Sequence, residues 1–345
     1  MKKKFARVIF ATFVACFLAA CPTFEDSKQK SSVKTKLRNE NIPFSASAFM
    51  AAARKGDIKI LKLFLEAGMD VNVHDNGTAL TYAVYADNID SVKFLIDNGV
   101  DVNEASYWGS PLGIASYKDH YKIANLLIKS GANVNKVSRN GMTPLLNAVL
   151  MKGRSKIVEL LLKNGADPNF EQEQTKETAL IIAAGKGYPD IVKLLIKAGA
   201  NTNFLDMGGL SALDWALLYS HFDVGKIILE NSNLVHGGDM SDVPMTVTLE
   251  RKNFKFAELL VQHGANVNGN FGEMPLIVWC AKRKKNDCVK FLVKHGANMH
   301  ATDKEGSTAL DYALMNKDSE LIKFLKNPVA ADKKEQPTSM IEKTK

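Results

Sequence analysis

At 345 residues the chain is longer than a single hydrophobic core usually grows, so it must fold as several domains or as a repeat array. Its 46% hydrophobic and 24% charged content excludes both a disordered polyelectrolyte and a bundle of membrane spans. The formal net charge of +8 falls to +4 when residues 1–21, with four basic groups and no acids, are set aside, and so modest an excess predicts no nucleic-acid partner.

The first element is a basic head, Lys2, Lys3, Lys4 and Arg7, followed by an apolar run from Val8 to Ala20. The run is shorter than the ~20 residues a spanning helix needs, and it ends in small residues, as export signals do. Leu18-Ala19-Ala20-Cys21 resembles the lipobox of bacterial lipoproteins. That resemblance implies a signal peptide over residues 1–21 and lipidation of Cys21. It places the protein at the bacterial cell envelope, lipid-anchored to a membrane outside the cytoplasm, on a periplasmic or surface face. The alternative is an ordinary cleaved signal that happens to contain a cysteine. Pro22 stands where an aspartate would resemble an inner-membrane retention signal, which favours the outer membrane of a two-membrane cell. Residues 22–44 are polar and lysine-rich without apolar periodicity, which predicts a flexible tether reaching roughly 25 Å.

From about Ser45 one pattern recurs, most completely as TALIIAAGKGYPDIVKLLIKAGANTN from Thr178 to Asn203. Thr78, Ser110, Thr143, Thr178, Ser211 and Thr308 stand where a first helix starts, and their hydroxyls can accept from an orphan backbone N–H. Pro111 and Pro144 follow at the first helical position, where a missing N–H costs nothing. Leucines 80, 112, 145, 180, 213 and 310 and alanines 83, 115, 148, 183, 216 and 313 then share one helical face, the alanines allowing close stacking. A second helix with paired apolar residues, such as Ile191-Val192 and Leu194-Leu195, ends at Gly68, Gly99, Gly131, Gly165, Gly199, Gly264 or Gly296. A short turn such as Ser138-Arg139-Asn140-Gly141 closes the unit. No unit can bury its apolar face alone, so consecutive units must stack into a continuous core.

This pattern resembles the ankyrin repeat, whose unit is ~33 residues with a T-P-L-H-x-A start. The resemblance covers residues 45–327 and implies an all-α ankyrin-repeat solenoid of about nine repeats, stacked helix-turn-helix units with projecting β-hairpin loops. Residues 328–345 read as a disordered tail. The histidine that usually follows the leucine is replaced by Thr81, Gly113, Leu146, Ile181, Asp214 and Asp311, so its hydrogen bonds must be absent or rebuilt. The segment from Asn231 to Met240 departs from the pattern and reads as a kink or a specialised loop, and the fourth and eighth units each carry one extra residue.

No His-Glu-x-x-His, Cys-x-x-Cys, Gly-x-Ser-x-Gly or phosphate loop occurs, so no enzyme, cofactor or metal is expected. His263 and His295 fall at helix C-termini, where a cation complements the dipole. Cys280 and Cys288 take buried positions of the repeat; they are either small core hydrophobes or, in an oxidising compartment, a disulfide joining the two helices. Lys282-Arg283-Lys284-Lys285 lies at a helix-to-helix turn. Tyr82, Trp215, Trp279 and Tyr312 occupy matching first-helix positions and read as packing, whereas Trp108 beside Tyr107 sits at a hairpin tip where the repeat demands no aromatic.

Ankyrin-like stacks bind proteins on a concave side built from hairpin tips and first helices. Carrying those positions onto this chain selects Tyr85, Tyr107, Trp108, Tyr117, Lys118, Arg139, Met142, Met151, Lys186 and Tyr219 as partner-binding residues, a set of interface-prone types. Trp108, Tyr117 and Arg139 are its expected centre. The function this implies is a membrane-anchored, monomeric interaction module for an envelope protein; the alternative is an inhibitor or immunity-type protein that neutralises a toxin or lytic enzyme.

Overall fold

The computed structural model describes residues 24–232 and 243–327. The expected signal, Cys21, the tail and most of the irregular Asn231 to Met240 stretch lie outside the described residues. Among those residues the regular structure is nineteen helices and one two-stranded hairpin, an all-α array. The chain divides into two compact bodies, one ending at Ala166 and the other beginning at Asp167. No change in the repeat pattern marks that boundary: Gly165-Ala166-Asp167 closes a helix as the equivalent residues do elsewhere.

The N-terminal body opens with α1 (Phe24–Asn39) and continues as helix pairs: α2 (Ala46–Lys55) with α3 (Ile58–Glu66), α4 (Ala79–Tyr85) with α5 (Ile89–Asp97), α6 (Pro111–Lys118) with α7 (Tyr121–Lys129), and α8 (Pro144–Val149) with α9 (Ser155–Lys163). The C-terminal body repeats the scheme with α10 (Ala179–Gly185) and α11 (Pro189–Lys197), α12 (Ala212–Leu218) and α13 (Phe222–Glu230), and α14 (Val243–Glu250) and α15 (Phe254–Gln262). There follow the strands β1 (Asn270–Phe271) and β2 (Met274–Pro275), then α16 (Leu276–Lys282) with α17 (Asn286–Lys294) and α18 (Ala309–Met315) with α19 (Ser319–Lys326). Within each body, first helices pack on the first helices of the neighbouring pair, α2 on α4 and α10 on α12 for example. The alanines 83, 115, 148, 183, 216 and 313 are all fully buried in those contacts.

The capping hydroxyls act as expected: Thr78, Ser110, Thr143, Thr178, Ser211 and Thr308 each accept from the backbone N–H three residues on. Three residues that stand in for the usual histidine rebuild its hydrogen bonds as capping boxes. Thr81 Oγ1 accepts from the Thr78 N–H at 3.0 Å, Asp214 Oδ2 from the Ser211 N–H at 2.7 Å, and Asp311 Oδ2 from the Thr308 N–H at 2.9 Å. Gly113, Leu146 and Ile181 carry no side chain able to do so. The glycines that end the second helices, from Gly68 to Gly296, hold φ between 80° and 89°, a region that costs other residues about 1–2 kcal/mol.

Adjacent repeats are also tied by asparagines. Asn103 Oδ1 accepts from the Asn133 N–H at 2.7 Å while its amide donates to the Gly131 carbonyl at 3.3 Å. Asn169 does the same with Asn201 and Gly199 at 2.7 and 3.0 Å. Cys280 and Cys288 are buried and disulfide-bonded, Cα to Cα 5.9 Å, so α16 and α17 are stapled. The extra residue of the fourth repeat falls between its two helices: α8 is one residue shorter than α4, and the turn after it, residues 150–154, is two longer than residues 86–88.

One expectation is corrected: residues 22–44 are not a flexible tether throughout, because α1 occupies Phe24–Asn39. Val33 and Leu37, one turn apart, are buried, and the helix packs on α3. Lys34 lies 4.4 Å over the Phe44 ring, which stacks on Phe64. A polar helix with one apolar seam thus covers the open face of the first repeat.

The last repeat carries a pH dependence. Asp303 is held below the usual carboxylate range chiefly by the Tyr312 hydroxyl it accepts from at 2.7 Å, Asp311 by Thr308, and Asp318 by the Leu321 N–H and the Asn286 amide. Carboxyls with depressed folded values add stability that is fully present above the unfolded value of about 3.9 and is lost as pH falls through the folded values. Buried Asp214 is pushed the other way by desolvation and contributes with opposite sign. Amide protection factors across α18 and α19, taken relative to the intrinsic exchange rate at each pH, should therefore fall below about pH 4, and Tyr312→Phe should shrink that acid-linked loss.

Candidate functional site

The hairpin before α6 is closed by two backbone hydrogen bonds, Ser106 N–H to Gly109 O at 3.0 Å and Gly109 N–H to Ser106 O at 3.1 Å. Ser106 Oγ accepts from the Trp108 N–H at 3.2 Å, fixing the tryptophan at the tip. Its ring meets Tyr82 edge-on, centroids 5.3 Å apart, and lies 5.5 Å from Tyr85 at a tilt of 34°. Lys118, at the end of α6, places Nζ 4.1 Å over the opposite partner, the Tyr85 ring. Tyr82 holds the cluster from beneath, whereas Trp108 stays 47% exposed and Tyr85 is also exposed. The cluster therefore offers a rigid aromatic surface with a cation on it, a geometry that takes apolar or aromatic side chains at little entropic cost.

Of the expected partner-binding residues, Tyr85, Trp108 and Lys118 are brought together. Tyr117 forms a separate pair with Arg154, whose guanidinium lies 5.4 Å over its ring and donates to the Ser116 carbonyl at 3.3 Å. Tyr107, 80% exposed, shares the Trp108 hairpin, and Arg139 and Met151 are exposed on the next hairpin and the turn after α8. Met142 is half-buried and bonded through its backbone to Ser138. Lys186 and Tyr219 belong to the C-terminal body, where Tyr219 stacks on Trp215 at 5.6 Å and 11°.

Sequence reasoning missed Arg154, which comes at the end of the lengthened turn of the fourth repeat; that extra residue was its signal. It also read Tyr82 only as packing, although it forms a T-shaped pair with Trp108. Trp215 and Tyr312 likewise do more than fill space: Trp215 Nε1 donates to Asp206 at 2.7 Å, as Tyr312 does to Asp303, tying each hairpin to the helix that follows it.

His263 and His295 cap α15 and α17 as expected, His263 Nδ1 lying 2.9 Å from Leu259 O and His295 Nε2 2.9 Å from a Glu258 carboxylate oxygen. Among the described residues no three His, Cys, Asp or Glu side chains cluster as metal ligands, and no helix is long and apolar enough to cross a membrane.

Comparison with known families finds a match to the model described as ankyrin repeats (3 copies), over residues 17–106, 106–172, 164–237 and 245–336. No curated protein matches the chain.

Proposed function

Because the chain belongs to the ankyrin-repeat family, whose members act as protein-interaction scaffolds, we propose that it docks a protein of the bacterial envelope through the Tyr85–Trp108–Lys118 surface of its N-terminal body. The observation that carries this reading is Trp108 itself: a large aromatic held half-exposed at a hairpin tip, where the repeat pattern demands none, braced by two tyrosines. Aromatic anchors braced in this way dominate binding energies in protein interfaces. The nine helix pairs among the described residues read as nine repeats, and the family points to binding rather than catalysis. The basic head, apolar run and lipobox of residues 1–21 support anchoring through lipid on Cys21, which confines the search for a partner to the envelope.

The test is in-cell crosslinking and affinity capture of the full chain beside a Tyr85→Ala/Trp108→Ala/Lys118→Ala variant, with mass spectrometry of what co-purifies. A protein captured by the wild type and lost by the variant supports the surface, and assaying that protein's own activity with and without the chain separates an adaptor from an inhibitor. Equal capture by both forms refutes it. Lipidation is read separately: Cys21→Ser should abolish palmitate labelling and leave the protein out of the membrane fraction, and unchanged labelling would exclude Cys21 as the anchor.

A further inference from the structure

Trp279 in α16 is 4% exposed, and its Nε1–H has no acceptor among the described residues. A buried donor without a partner is costly and calls for a cause. Two repeats of the same body show what normally answers it. Trp215 and Tyr312 stand four residues after their caps, as Trp279 does, and each donates to an aspartate five residues before the cap, Asp206 and Asp303, both at 2.7 Å. In the Trp279 repeat the corresponding residue is Asn270, which is drawn into the β1–β2 ladder opposite Pro275. Phe271 from the same strand lies against the Trp279 ring at 5.4 Å and is 49% exposed. Above the ring are two cations, the Arg283 guanidinium at 5.1 Å and Lys285 Nζ at 5.4 Å, which share Glu250 as an acidic neighbour.

The surroundings extend the positive field. Lys285 also lines a cavity of about 320 Å³ with Lys252, Lys284 and a single acid, Asp287. Lys252, Lys284 and Lys317 hold the left-handed turn position of three successive repeats at φ of 55° to 57°, a conformation that favours glycine, asparagine or aspartate; the N-terminal body has Asp87 and Asp119 there. The basic character is thus specific to this end of the chain.

We propose that the Trp279 repeat is a second docking site, a receptor for an acidic segment of a protein partner. One carboxylate of that segment takes the place that Asp206 and Asp303 occupy in the sister repeats, accepting from Trp279 Nε1 beneath Arg283 and Lys285. Phe271, half-exposed on a hairpin of two-residue strands, is the side chain that yields to admit it. A bilayer of anionic headgroups can meet the exposed lysines but cannot send an oxygen beside a buried indole, so the observations favour a side chain over a lipid surface. This site is independent of the Trp108 surface.

The test uses the full chain with tryptophan labelled on the indole nitrogen and a fluorescein-labelled deca-aspartate peptide as probe. Binding should move the indole resonance that Trp279→Phe deletes. Trp279→Phe should weaken the peptide about tenfold or more, the loss of one hydrogen bond to a charged group. Asn270→Asp supplies the acceptor internally, so it should weaken the peptide comparably while folding at least as stably as the wild type. Arg283→Gln/Lys285→Gln should weaken it as well, and Trp108→Ala should leave it unchanged. The proposal fails if Trp279→Phe and Asn270→Asp bind the peptide as the wild type does. It fails equally if phosphatidylglycerol vesicles capture wild type and both variants alike and the peptide does not compete; the lysines would then be a polybasic patch for anionic surfaces.

Discussion

Phe64→Ala is expected to destabilise the N-terminal body by about 3–5 kcal/mol, the range for removing a fully buried aromatic. Phe64 is the hub of the first repeat: Phe44 stacks on it at 5.7 Å and Phe49 meets it edge-on at 5.6 Å. It lies on α3, the helix that α1 packs against, so the cavity would also loosen the covering helix. In a repeat array each unit touches only its neighbours, so the damage should stay local. Hydrogen exchange should show protection lost across α1 to α4 and largely kept in α8 and α9. Uniform loss across the whole body would mean that it unfolds as one unit and that the first repeat is no separate cap.

The second large effect is on binding. Trp108→Ala should weaken the complex with the captured protein by about 2–4 kcal/mol, roughly 30-fold to several hundred-fold, as hot-spot aromatics do. Stability of the free protein should move by less than about 1 kcal/mol, because Trp108 is half-exposed and its loss opens no core cavity. Trp108→Phe keeps ring contact with Tyr82 and Tyr85 and should recover part of the loss. Titration calorimetry with the purified partner measures all three. An alanine variant that binds within threefold of the wild type would remove Trp108 from the centre of the surface.

The helices were legible in the sequence wherever a short-range physical rule governs them. A hydroxyl before a leucine, a proline at the first helical turn, a small residue at the stacking face and a glycine after the last turn each act within a few residues, so spacing alone reveals them. What stayed hidden depends on chain-distant neighbours. Helix α1 is polar apart from a narrow seam, and only the exposed side of α3 gives Val33 and Leu37 something to cover. The asparagine ties join residues about thirty positions apart, as from Asn135 to Gly165 at 2.9 Å, and no local pattern announces them. Arg154, at the end of the longer turn of its repeat, lies over Tyr117 of the preceding repeat, a contact between residues thirty-seven positions apart. The unanswered Trp279 N–H is visible only by comparison with Trp215 and Tyr312, whose aspartates lie on separate hairpins. The ten expected partner-binding residues, chosen by position, are a mixture for the same reason: the position says which side chains lie near the face, and packing decides which of them meet.

Helix α1 alters how a lipid on Cys21 would work. Were residues 22–44 slack, the repeats would sweep a volume some tens of ångströms across, and a partner would be met anywhere within it. Sixteen residues are wound into a helix that rests on α3, and that helix begins three positions after Cys21 in the sequence. If Cys21 carried lipid, the N-terminal body would be held on a short leash. A partner in the same membrane would experience an effective concentration in the range of about millimolar, enough to turn a weak contact into a standing one. A soluble partner would gain nothing from the leash and would have to rely on affinity alone.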